Sequence, residues 1–236
     1  MGIFNIIFYK PLFNLLIILY NYIPGHDFGV AVILLTVIIK TLLIPLSIKS
    51  VKSQRDLQEI QPIIQELQVK YKNDKERQAK EVLEIYKTKK INPFGGILLA
   101  FIQLPILIAL YSVFRNGLNS SELINLYGFV LNPVNINAFF LNIVDLSKPN
   151  YYFALIAGIC QYFQTKMLLP VQQKTPSKDK NADFAKVMQF QMTYFLPIFT
   201  VIILLSLPSA LGLYWIVGGI FSTIQQYFIL KKIKNT

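Results

Sequence analysis

The chain alternates long apolar blocks with short charged ones, and the blocks have the length of membrane spans. Residues 28–48 are apolar except for Thr36, Lys40, Thr41 and Ser47, and about 20 such residues cross a bilayer as helix. Residues 93–115, 151–169, 190–206 and 207–230 repeat the pattern, so five spans are expected. The first block, residues 3–23, is interrupted by Lys10 and Pro11, which leaves a run from Leu12 to Ile23 that is short for a span. Lys10, Asn14 and Asn21 project on one side of a helix there, with Ile17 breaking the stripe. This predicts an interfacial amphipathic helix in preference to a true span, with residues 24–27 as the turn, so that 1–27 form one unit.

Between the first two spans the periodicity changes. Leu57, Ile60, Ile64, Leu67 and Tyr71 recur every three or four residues, Lys72-Asn73-Asp74 breaks the pattern, and Ala79, Val82, Leu83 and Tyr86 resume it. That reads as an antiparallel helical hairpin over 49–92, with Pro62 kinking its first arm or marking a first turn.

Charge orients these elements. The hairpin carries eleven Lys and Arg against seven acidic residues, the loop 170–189 is short and basic, and the tail 231–236 holds Lys231, Lys232 and Lys234. Basic loops stay cytoplasmic. The loop 116–150 is nearly charge-balanced and is expected outside, giving an outer N-terminus and a cytoplasmic C-terminus. With 54% hydrophobic residues, a mean hydropathy of +0.48 and a net charge of +11, the chain is an all-α polytopic membrane protein. Its basicity reflects topology, not sequence-specific nucleic-acid binding. Cys160 is the single cysteine and His26 the single histidine, which leaves no disulfide framework and no His or Cys metal set; no cofactor is expected. The N-terminus lacks the pattern of a signal or transit peptide and is expected to be retained.

Lys40 is the candidate functional residue. It lies about twelve residues in from Phe28 and eight from Ile48, roughly 12 Å from the nearer end. A cation at that depth faces a protein interior or a watery cavity, or else snorkels to the headgroups. The five spans contain no Asp or Glu, so Lys40 has no internal counter-ion and its field is open to an anionic visitor. Other spans offer polar faces: Gln103 in the second, Gln161, Gln164 and Thr165 in the third, and Trp215, Gly218, Gly219, Ser222, Gln225 and Gln226 in the last. The glycines alone fit helix packing better than a lining role.

These residues, taken together, resemble the YidC/Oxa/Alb membrane protein insertases. The resemblance rests on KTLLIPLSIK from Lys40, LQEIQPIIQELQVKYKNDKERQAKEVLEIYK in the hairpin, INPFGG and FIQLPILIALY around the second span, and LPSALGLYWIVGG with IQQ in the last. It covers residues 11–230, and its specificity lies in the joint order and spacing. It implies five core spans, an outer amphipathic helix, a cytoplasmic hairpin, and a hydrophilic groove open to the cytoplasm and lipid but closed outside. Lys40, Gln103, Gln161, Gln164, Tyr214 and Trp215 are then the substrate-groove residues. The family usually carries Arg where this chain has Lys40, and a point charge differs from a fixed fork of donors. The implied location is the bacterial cell membrane. The implied partners are nascent membrane proteins and the bilayer, with the Sec translocon, the ribosome and signal-recognition machinery as further candidates. The basic tail is only a few residues long, which argues against ribosome docking through a long tail.

The implied function is insertion and chaperoning of membrane proteins without nucleotide hydrolysis, since no GxxxxGK phosphate loop occurs. The alternative is a small transporter or channel, which would predict inverted repeats or acidic span residues. An intramembrane enzyme would need a catalytic set that the spans do not contain.

Overall fold

A computed structural model describes residues 2–117, 119–168 and 190–234. The N-terminal block is helical from Ile3: a π-helical turn, Asn5–Tyr9, runs into α1, Lys10–Tyr22. Pro11, which breaks the apolar run, does not break the helix. The Lys10 N–H bonds the Asn5 carbonyl five residues back, and this wider turn makes room for a proline ring that would crowd a standard turn. The same device recurs at Pro197, where the π turn Gln191–Phe195 precedes α7, Leu196–Leu204. α1 buries Phe13, Leu16, Ile17 and Tyr20. Asn14, expected on a polar stripe at the membrane surface, is buried instead. Its amide donates to the carbonyls of Lys10 (2.7 Å) and Asn125 (3.2 Å), and its oxygen accepts the Tyr127 N–H at 2.7 Å. A buried amide needs such partners, and residues 125–127 supply them.

Asp27 caps α2, Phe28–Leu42, by accepting the Val30 N–H at 2.9 Å. The helix does not run unbroken over 28–48 but ends at Leu42. After Leu43 the chain bends by 62° into α3, Ile44–Lys70. Pro45 is the cause: it cannot donate to residue 41 and its ring clashes with that carbonyl, so it serves as the first turn of a new helix. The arm expected from residue 49 therefore starts at Ile44, and Pro62 lies inside α3, which remains helical through it. A turn over 71–74 leads to α4, Lys75–Thr88, capped by Asp74 accepting the Arg77 N–H. α4 buries none of its residues, whereas α3 buries Ser47, Ser50, Val51, Ile60 and Ile64. α3 packs mainly on α5, Gly95–Asn116.

α6, Tyr151–Leu168, and α8, Ser209–Lys234, complete the helices. α8 is the centre: its most extensive contacts are with α6 and α2, and α7 lies on α6. Among the described residues, one helix, Ser209–Lys232, is long and apolar enough to cross a membrane unaided. A second qualifies if the bent pair Phe28–Leu42 and Ile44–Lys70 is counted together; Phe101–Asn116 and Thr193–Leu204 are apolar but shorter. The basic loop expected at 170–189 lies outside the described residues.

The segment from 119 to 150 is not a simple connection. It holds a 3-10 turn, Ser120–Asn125, and a two-residue β pairing, β1 (Phe139–Phe140) with β2 (Val144–Asp145). It is bonded to the helix ends around it: Leu131 accepts from the Asn21 amide (2.7 Å), the Asn137 N–H donates to the Tyr20 hydroxyl (2.9 Å), and the Leu141 N–H donates to Asp27 (2.6 Å). Leu146 is fully buried, and its carbonyl accepts the Ala210 N–H at the start of α8. Gly29 admits the segment closely, since a Cβ there would overlap the Phe140 ring. Asp145 is held below its ordinary carboxylate value: partial desolvation opposes the shift, but bonds from Ser147 and Lys148 outweigh it.

Candidate functional site

Six consecutive positions of α8, Tyr214 to Gly219, organise the site along about 8 Å of helix axis. Tyr214 and Gly218, four apart, share one face; Trp215 and Gly219 share the next. Each meets a polar residue from another helix.

On the first face, α2 delivers Lys40. Its Cε lies 2.9 Å and its Nζ 3.6 Å from where a Cβ on Gly218 would stand, with the Thr36 methyl at 3.8 Å. Only glycine leaves room for the lysine stem in this position. The Thr36 hydroxyl is committed to the Val32 carbonyl at 2.7 Å. Lys40 makes no hydrogen bond or ion pair among the described residues. It sits in the last turn of α2, because the helix stops at Leu42. The C-terminal dipole of α2 favours a cation at this position. On the same face, Tyr214 is buried and accepts a hydrogen bond from the Gln103 amide of α5 at 3.3 Å.

On the second face, the Trp215 indole N–H donates to the Gln161 side-chain oxygen Oε1 at 2.9 Å. A Cβ on Gly219 would stand 3.3 Å from the Cys160 Cβ and 3.9 Å from the Gln164 oxygen. All six residues expected in the groove thus gather on one short stretch of α8, but on two faces. Gln103–Tyr214 and Gln161–Trp215 are bonded pairs, while Lys40 and Gln164 pack against glycines. No bond joins Lys40 to a glutamine among the described residues.

The polar strip continues along α8 past Lys40. Ser222 and Gln226 are buried at four-residue steps from Gly218, and Gln225 accepts from the Ser47 hydroxyl at 3.1 Å. The Gln225 Nε2 and Gln226 Oε1 are buried with no partner among the described residues, a cost of about 1–3 kcal/mol each unless relieved. Gln225 and Gln226 stood on the polar face of the last span but were not named as groove residues. Ser47, a polar residue of the expected first span, lies past the bend at Leu43, in the first turn of α3. Among the described residues no group of His, Cys, Asp and Glu could hold a metal.

The chain is similar to known proteins over most of its length. The family model described as "60Kd inner membrane protein" matches residues 18–236. The "Membrane protein insertase YidC" of Geobacter metallireducens is 36% identical over 226 residues, covering 95% of this chain and 37% of that protein. Its namesake in Clostridium tetani is 36% identical over 214 residues, covering 90% of this chain and 85% of that protein. The one in Fusobacterium nucleatum is 32% identical over 206 residues, with 87% of each covered. The chain therefore spans a little over a third of the Geobacter relative and most of the other two.

Proposed function

The chain belongs to the 60Kd inner membrane protein family, and from that premise we propose that it is a membrane protein insertase and chaperone of the bacterial inner membrane. Five membrane-crossing segments, built on α2, α5, α6, α7 with its preceding turn, and α8, surround a hydrophilic groove that opens to the cytoplasm. The N-terminal helix lies along the outer surface, and the C-terminus is cytoplasmic. α3 and α4 form the cytoplasmic arm that receives substrates. Nascent membrane proteins and lipid are the partners.

One observation carries the reading: the Lys40 ammonium, without a counter-ion among the described residues, seated over Gly218 at the head of a polar strip that runs on through Ser222, Gln225 and Gln226. The hydrogen-bonded segment over the opposite helix ends supports closure of the groove on the outside. In this arrangement the groove hydrates a polar tail and the unpaired amide atoms of Gln225 and Gln226, lowering the tail's desolvation cost. Lys40 attracts acidic residues in the tail. The substrate's apolar segment slides into lipid beside the groove, and a segment of about 20 apolar residues gains several kcal/mol on insertion scales. No nucleotide enters this scheme.

The test is reconstitution in liposomes, scoring protease protection of a single-span substrate beside ion flux. Protected substrate without flux is expected. Flux without protection would establish the transporter or channel reading instead.

A further inference from the structure

The N-terminal helix, the far end of α5 and the 3-10 turn border a half-open polar pocket of about 220 Å³, more than ten times the roughly 10–15 Å³ one water requires. Tyr9, Lys10, Ser112, Asn116, Glu122 and Asn125 line it, with Asn5 at its side. None of these belongs to the groove.

The charges of this pocket are only half used. Glu122 takes both its bonds on one oxygen, Oε2, from the Tyr9 hydroxyl (2.7 Å) and the Asn125 amide (2.9 Å); Oε1 has no donor among the described residues. Burial, and then the bond to Glu122 and its negative charge, hold the Tyr9 phenol well above its ordinary value. Tyr9 is thus a fixed donor that orients the carboxylate. Lys10 forms no ion pair among the described residues, and its Nζ stands 5.3 Å from the Tyr127 ring centre. A free carboxylate oxygen and an unpaired ammonium in one pocket suit a ligand that carries both charges.

A second observation says where the rest of that ligand lies. Leu104, Ile108, Ser112 and Asn116 stand four apart on one face of α5. Leu104 is 52% and Ile108 53% exposed, whereas Ser112 and Asn116 reach the pocket. The face turns from apolar to polar over roughly 12 Å. Ile3, Ile6 and Ile7, just before the pocket residues Tyr9 and Lys10, are also strongly exposed. That profile, apolar along the helix and doubly charged at its end, is the profile of a phospholipid.

We propose that this pocket binds the headgroup of a phospholipid carrying a primary amine and a phosphate. The ammonium donates to Glu122 Oε1, the phosphate accepts from Lys10 and the amides of Asn5 and Asn116, and an acyl chain lies along Leu104 and Ile108. A purely anionic headgroup would meet the Glu122 carboxylate unpaired, and a choline headgroup has no N–H to donate. The proposal rests on the membrane placement of α5 given above and is independent of insertase activity.

The full chain is reconstituted in nanodiscs containing equal phosphatidylethanolamine, phosphatidylcholine and phosphatidylglycerol, stripped with mild detergent, and its retained lipid identified by native mass spectrometry. Wild type should retain phosphatidylethanolamine over the other two by roughly tenfold, the scale of one charge-assisted hydrogen bond. Glu122→Gln should bring the ethanolamine-to-choline ratio close to one while lipid is still held. Lys10→Gln, which leaves the Tyr9–Glu122 bond intact, should lower retention of all three and decides the matter if Glu122→Gln does not fold. Equal retention of the three lipids by wild type, a preference for phosphatidylglycerol, or retention unchanged in Lys10→Gln would overturn the proposal.

Discussion

Gly218 sets the position of Lys40, and enlarging it separates that position from the lysine's charge. A Cβ at residue 218 would stand 2.9 Å from Lys40 Cε, against the roughly 3.5–4.0 Å of a comfortable carbon contact. The contact is with the far end of a flexible side chain, so Gly218→Ala is relieved by moving the lysine tip about 1 Å. The backbone is helical here, and replacing helical glycine with alanine gains about 1 kcal/mol of helix stability. The fold should be as stable as wild type or slightly more so. Function should go the other way. A substrate carboxylate 4 Å from the ammonium is attracted by about 4 kcal/mol at an effective dielectric of 20, and at 5 Å by about 3.3 kcal/mol. The difference of about 0.8 kcal/mol is close to a fourfold loss in the attraction step. Gly218→Leu displaces the lysine further and should lose more. The assay is liposome insertion of paired single-span substrates that differ only in an acidic or neutral tail, beside thermal unfolding of each variant. Wild-type insertion of the acidic tail by Gly218→Leu, in a protein that remains folded, would refute the idea that the seat of Lys40 over Gly218 matters.

Three further outcomes are expected. Lys40→Arg should retain insertion, while Lys40→Ala and Lys40→Glu lose most of it for acidic tails and little for neutral, strongly apolar substrates; equal behaviour of both tails in wild type and Lys40→Ala would make the residue structural. Asp27→Ala removes the cap of α2 and the acceptor for Leu141, and should cost about 2–3 kcal/mol in unfolding, with a loss under about 0.5 kcal/mol counting against the anchoring role of that bond. By hydrogen exchange, amides of residues 75–88 should exchange far faster than those of 44–55, because α4 buries nothing while the start of α3 is tied by Ser47 to Gln225 and by Ser53 to the Asn92 carbonyl at 2.8 Å; equal protection would mean the two helices move as one.

Most helix positions were legible in the sequence because hydropathy and charge are local signals. Lys40, Gln161, Gln164 and Trp215 stood out for the same reason, as polar residues on apolar faces. Partnerships were not legible. Nothing in the residues near Lys40 says that Gly218 would receive it, or that Gln103 would meet Tyr214 across 111 positions. The break at Leu43 was readable from Pro45, but the apolar run continues through it, and an apolar run says nothing about direction. Asn14 misled because a lone amide on an apolar helix looks the same whether water or a distant backbone satisfies it. The 3-10 turn and β pairing of 119–150 hold by bonds from loop backbone to Asn14, Tyr20, Asn21 and Asp27, more than a hundred residues earlier, a range that no periodicity reports.

That same segment has an electrical consequence on the proposed topology. A groove filled with water from the cytoplasm brings the cytoplasmic potential up to Lys40, so most of the membrane voltage falls across the roughly 18 Å of α2 between Lys40 and the outer segment. Each elementary charge crossing 100 mV exchanges about 2.3 kcal/mol. With the cell interior negative, an acidic tail leaving the groove outward is driven by that amount per charge and per 100 mV. The drive lasts only while that stretch insulates, and Leu146, fully buried beneath the bonds to Ser209 and Ala210, is part of the dielectric that keeps the membrane charged while a protein passes.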